Sequence, residues 1–177
     1  MSPAQRGVAV GMAGGLGVTI IVTAWCLAGS PGLAFPFHAI STSRRWLIAI
    51  ISWLGPLTSL AAAIGVVASR RFFSPDDIDG AGLTVEGPAV RIPRAILTNT
   101  LEQAALAVPV YTSLALLLPS GQLAYPLLLS ACFVVGRAAF AAGYAKGAAA
   151  RSLGFTLTFY PTVAGLVAAA ASAFGRL

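Results

Sequence analysis

The sequence predicts an all-α membrane protein that crosses the bilayer five times. Three observations carry this. The chain of 177 residues is 58% hydrophobic and only 9% charged, with a mean hydropathy of +0.87. Its apolar runs are long and free of charge. Turn-forming residues and basic clusters separate those runs. A water-soluble domain of this size has no way to hide so much apolar surface, whereas about 20 apolar residues of helix cross a bilayer core.

The first run, residues 7–28, carries no charge. It is longer than a signal-peptide core, and no clean A-x-A site follows, so it reads as a retained spanning helix. Gly11, Gly14, Gly15 and Gly17 give it a small-residue face suited to close packing. The second run, "WLIAIISWLGPLTSLAAAIGVVA" at 46–68, is equally long. No charge occurs from Ala104 to Gly136, which is too long for one crossing. The turn residues "PSGQ" at 119–122 divide it, predicting helices near 93–118 and 122–146. The fifth run is 152–174, with Pro161 predicting a local kink rather than a break.

Eleven basic against five acidic residues give a formal charge of +6. In a membrane chain this excess reads first as topology and lipid-headgroup contact. Nucleic-acid binding needs a soluble basic face, and none is visible. With five crossings, Arg6, Arg70, Arg71, Arg91, Arg94, Lys146 and Arg151 fall on one side, and Arg44, Arg45 and Arg176 on the other. The richer side is expected to be cytoplasmic. "DDID" at 76–79 reads as a solvated loop with Gly80 and Gly82 as turn residues. Cys26 and Cys132 lie in apolar runs and read as packing residues, not as a disulfide framework. Trp25, Trp46 and Trp53 read as interface or packing aromatics. His38, the single histidine, has no acid or cysteine near it in sequence, so no metal site is expected.

Charges inside membrane helices are costly and tend to mark function. Asn99 and Glu102 share a helix face at spacing three. Arg137 lies well inside the fourth run, with Tyr144 seven residues on and Arg151 seven further. If the helix continued through "AKGAAA", these three would form one stripe. Arg70 and Arg71 close the second run at the same membrane face. Two readings fit equally. The arginines snorkel to headgroups while Arg137 and Glu102 form a structural pair. Alternatively, the set holds a small polyanionic ligand at the membrane surface.

The stretches "ASRRFF" (68–73), "NTLE" (99–102) and "GRAAFAAGYAKGAAAR" (136–151) resemble the MAPEG proteins, membrane-associated proteins in eicosanoid and glutathione metabolism. The resemblance covers 46–174, about three quarters of the chain. It implies a four-helix transmembrane bundle over 46–177, with residues 1–45 as an extra N-terminal helix and connecting loop. It also implies a homotrimer, with glutathione as co-substrate bound between subunits. By resemblance, Arg70 meets a glutathione carboxylate, and Arg71 lies near the thiol end or the membrane surface. Asn99 and Glu102 hold the peptide part and its amino group, and Arg137 pairs close to Glu102. Tyr144 donates its hydroxyl to the ligand. Arg151 stands beside the sulfur and favours thiolate, a role that suits a thiol of pKa near 8.5. The chain departs from the family pattern at Ala95, Phe140 and Gln103, where the family often has arginine, tyrosine and an aromatic residue. The expectation is therefore a glutathione-dependent transferase or peroxidase acting on lipophilic electrophiles, in a bacterial inner membrane with the N-terminus and active site cytoplasmic. The alternative is a non-catalytic scaffold or lipid-binding protein of the same fold.

Overall fold

The computed structural model describes residues 1–30, 40–80 and 85–176. His38 and Gly82 lie outside them. Five long helices follow in order: α1 Pro3–Leu27, α2 Thr42–Phe72, α3 Pro88–Leu117, α4 Ala124–Tyr144 and α5 Ala148–Phe174. A short 3₁₀ turn, Ser120–Gln122, joins α3 to α4. Each helix is long and apolar enough to span a bilayer, with α4 counted together with its preceding turn. The chain is an integral, multi-pass membrane protein.

Local chemistry moves several ends away from the predicted ones. Ser2 and Gln5 form a reciprocal capping box that starts α1 before the apolar run begins. Ser41 accepts from the Arg44 amide, so α2 begins four residues before Trp46. Pro88 opens α3, where its missing N–H is harmless, and Pro93 is carried inside the helix. Pro56 and Pro161 likewise sit within α2 and α5 without ending them.

Between lipid-facing helices, burial gains little from leaving water, so close packing and interhelical hydrogen bonds hold the bundle. Tyr111 and Leu114 of α3 and Tyr125, Leu129 and Phe133 of α4 are fully buried. The Tyr111 hydroxyl reaches the Leu129 carbonyl at 3.2 Å and Thr162 Oγ1 at 3.3 Å, tying α3 to α4 and α5. Trp53 Nε1 donates to Thr112 Oγ1 at 2.9 Å, joining α2 to α3. At the far end, Arg45 donates to the Ala115 carbonyl at 3.0 Å and the Leu118 carbonyl at 2.7 Å, and Arg176 donates to that of Leu117. Two arginines read as topology signals therefore also satisfy the open C-terminal carbonyls of α3.

The first helix runs parallel to the last. A Cβ at Gly11 would lie 2.0 Å from Ser152 Oγ, and one at Gly15 2.1 Å from Thr156 Oγ1, so only glycine permits this approach. Thr156 Oγ1 donates to the Gly11 carbonyl across the seam at 3.1 Å. Farther along, Thr23 Oγ1 meets the Tyr125 hydroxyl at 2.7 Å, and Gln122 Nε2 donates to the Leu27 carbonyl at 2.7 Å. The glycine face expected from the sequence is thus a docking seam for α5 at Gly11 and Gly15, while nothing lies within 4 Å of a Cβ at Gly17.

The α2–α3 connection departs from the expected solvated loop. Asp76 and Asp79 are exposed, but Asp77 is only 3% exposed. Its carboxylate accepts from Ser74 Oγ at 2.6 Å and from the Gly87 amide at 2.7 Å, clasping the end of α2 to the start of α3. The Gly87 and Ser74 hydrogen bonds, with the nearby Arg71 charge in a smaller part, hold this carboxyl below its usual range. Its stabilisation is complete above the unfolded aspartate pKa of about 3.9 and fades as pH falls through the lower folded value. The melting-temperature gap between wild type and Asp77→Asn is accordingly expected to be full at pH 7 and to shrink below about pH 4. Thermal unfolding in detergent across that range measures it; a gap that does not change with pH refutes the clasp.

Candidate active site

Arg137 is buried inside a spanning helix, with partners for its two terminal nitrogens and none among the described residues for Nε. The α4–α5 hairpin closes tightly because Gly154 carries no side chain: a Cβ there would lie 2.2 Å from the Phe140 amide nitrogen. That closeness brings Thr158 to Arg137. Arg137 is 5% exposed; Nη1 donates to Asn99 Oδ1 at 2.8 Å and Nη2 to Thr158 Oγ1 at 3.0 Å. Its guanidinium also lies 4.3 Å from the Phe140 ring centroid and 6.0 Å from that of Phe133. Hydrogen bonds to a charged group contribute about 1.5–3 kcal/mol each and a desolvated cation–π contact about 2, which offsets a burial cost of several kcal/mol.

The expected direct neighbour of Arg137 was Glu102. Asn99 intervenes instead. Its Nδ2 donates to Glu102 Oε2 at 3.3 Å while its oxygen faces the guanidinium. The amide therefore links a buried cation to an exposed carboxylate, and both of its ends are committed. The reason is helix geometry: a spacing of three places Asn99 and Glu102 on one face of α3, and Asn99 is the member nearer α4.

The continuous stripe from Arg137 to Arg151 does not form, because α4 ends at Tyr144. Gly147 turns the chain with φ 101°, a conformation that favours glycine, and α5 starts at Ala148. Tyr144 and Arg151 nevertheless meet, across the turn rather than along a helix. The Arg151 guanidinium stands 4.4 Å from the centroid of the Tyr144 ring.

Asn99, Tyr144 and Arg151 line one cavity of about 440 Å³. Phe140, Phe155 and Tyr160 make its aromatic side, and Val8 and Met12 of α1 make another wall. Its size lies in the usual range for small-molecule sites. Among the described residues, neither the Tyr144 hydroxyl nor the Arg151 guanidinium hydrogen-bonds to protein, and both residues line the cavity. A second cavity of about 370 Å³ opens between α2, α3 and α4, with Arg137 on its wall. The Arg137–Asn99 pair thus stands between two cavities.

The remaining predicted residues lie elsewhere within the subunit. Arg71 Nη2 is 3.1 Å from Glu86 Oε1, and Arg94 Nη1 is 3.5 Å from the same oxygen. Arg70 is exposed at the end of α2. Neither Arg70 nor Arg71 lines the cavity with Arg151. Glu86 and Thr158 were missed by sequence reasoning. Thr158 carried a signal: it lies seven residues after Arg151 and so shares its helix face. Glu86 was a lone acid in an otherwise basic approach to α3. No cluster suited to a metal occurs among the described residues.

The sequence model of the MAPEG family matches residues 45–171. The chain belongs to the MAPEG family. The matched region holds most of α2 through most of α5 and every predicted site residue, and it leaves α1 outside. A search of curated proteins found no match, and neither did a search of solved structures. Membership of the MAPEG family carries a general association with membrane and glutathione-related function.

Proposed function

We propose that this MAPEG protein is a glutathione-dependent transferase or peroxidase that acts on lipophilic electrophiles, as a homotrimer with glutathione as co-substrate. The observation that carries the reading is the convergence of Asn99, Tyr144 and Arg151, from three helices and across a sharp turn, on one cavity. An anionic tripeptide needs exposed donors in a partly apolar setting, and Arg151 and Tyr144 supply them. The Arg151 guanidinium favours the ionised sulfur, and the thiolate attacks an electrophilic carbon dissolved in the bilayer as the leaving group departs. Tyr144 donates its hydroxyl to the ligand, and Asn99, fixed by Arg137 and Glu102, offers the amide hydrogen that those bonds leave over. Glu102, Arg70 and Arg71 serve a ligand only where subunits meet, consistent with a site shared between neighbours. The charge distribution supports a cytoplasmic N-terminus and cavity, which we place in a bacterial inner membrane.

Phe140 favours a second reading. It fills the cavity wall without a hydroxyl, and Ala95 likewise offers no charge, as suits a MAPEG scaffold or lipid-binding protein without catalysis. Titration calorimetry of detergent-purified protein with glutathione separates the two. Saturable binding, weakened about tenfold or more in Arg151→Ala and less in Tyr144→Phe, is the expected result, since charged hydrogen bonds contribute more than neutral ones. No heat at millimolar glutathione leaves the scaffold reading standing.

A further inference from the structure

Helix α1 lies outside the family match, yet it supplies part of the cavity. Its position is not incidental. The glycine seam against Ser152 and Thr156 brings it to one residue from Arg151 along α5. The Thr23–Tyr125 and Gln122–Leu27 hydrogen bonds fix its other end. With the helix held at both ends, the residues it turns toward the cavity, Val8 and Met12, stay in place. The two are four residues apart, hence one above the other on one face.

The cavity wall divides by chemistry. Asn99, Tyr144 and Arg151 make a polar side. Met12 and Val8, with Phe155 and Tyr160, make an apolar side. Phe155 stacks on Phe159 with centroids 5.5 Å apart, so the aromatic surface continues outward along α5. Met12 is 44% exposed in the single subunit, so it stands at the cavity's open edge.

We infer that α1 is the selectivity wall for the lipophilic co-substrate: Met12, backed by Val8, sets how bulky an apolar electrophile can lie against Phe155 and Tyr160 with its reactive carbon toward Arg151. The assignment rests on the transferase reading above and adds the substrate-class determinant that the four matched helices do not contain. Methionine suits the place, since an unbranched, flexible side chain accommodates varied apolar shapes.

The test uses the full chain in detergent, with glutathione and two electrophiles, the compact 1-chloro-2,4-dinitrobenzene and a bulky polycyclic epoxide. Met12→Trp is expected to shift the ratio of the two kcat/KM values at least about tenfold toward the compact electrophile, and Met12→Ala to shift it the other way. Val10→Trp, on a 74% exposed position that does not line the cavity, leaves the ratio unchanged. Intact folding of each variant is checked by thermal unfolding. A binding readout accompanies the rates: maleimide labelling of Met12→Cys, followed by peptide mass spectrometry, is slowed by S-hexylglutathione and little by glutathione. A selectivity ratio indifferent to both Met12 substitutions in a protein that turns over glutathione overturns the wall and leaves the transferase reading intact. Equal protection by glutathione alone moves Met12 to the thiol side and also overturns it. A wild-type protein that binds no glutathione sinks the transferase reading, and this assignment with it.

Discussion

Arg151→Ala is expected to lower the rate of conjugation at saturating glutathione about 20-fold at pH 7 and hardly at all at pH 9. The size follows from ionisation. At pH 7 a thiol of pKa about 8.5 is only ~3% thiolate. A guanidinium alongside lowers a partner's pKa by roughly one to three units, and two units bring the ionised share to about three quarters. Removing Arg151 returns the thiol to its ordinary pKa, so the deficit is largest below that value and closes as hydroxide does the same work. Arg151 is free to play this role because its present contact is with the face of the Tyr144 ring at 4.4 Å, not with an acid. A log-rate profile from pH 6 to 9 for wild type and variant decides it. A loss of equal size at every pH assigns Arg151 to ligand binding alone.

The second large effect concerns the hairpin that carries the site. Gly154→Ala is expected to destabilise the protein by about 3 kcal/mol or more, at the upper end for overpacked cores. The new methyl would meet backbone, the Phe140 nitrogen at 2.2 Å and its Cα at 2.6 Å, not the end of a flexible side chain. α4 and α5 must part, and Thr158 then withdraws from Arg137. Gly65→Ala is the matched control, since a Cβ there meets nothing within 4 Å. Thermal unfolding in one detergent compares the two; similar melting temperatures refute the tight α4–α5 contact.

The five crossings were legible because charge-free runs of that length have few other fates. The helix ends were less so. Reading Pro93 as a start ignored Pro88, which fits the first helical position better, and the caps at Ser2 and Ser41 act on residues outside the apolar runs. At the site, spacing put Arg137, Tyr144 and Arg151 on one stripe and Asn99 with Glu102 on another face; the stripe breaks at Gly147, and the cavity gathers Tyr144 and Arg151 with Asn99 instead of Arg137. A sequence shows period but not where the period stops, and a three-residue turn returns the chain so that residues seven apart still meet. The ion pair of Arg71 was not legible, because its partner Glu86 is fifteen residues away, across a loop. The placing of Val8 and Met12 depends on which helix α1 lies beside, which no local pattern carries.

The parallel course of α1 and α5 also has a practical side. An odd number of crossings sends the two chain ends to opposite faces of the bilayer, and Gly7 lies against Ala149, beside the turn that carries Tyr144 and Arg151. A purification tag or fluorescent protein joined ahead of Met1 would hang over the mouth of the cavity and crowd whatever enters it. The same fusion placed after Leu177 would report on the protein from the far leaflet and leave the entrance clear.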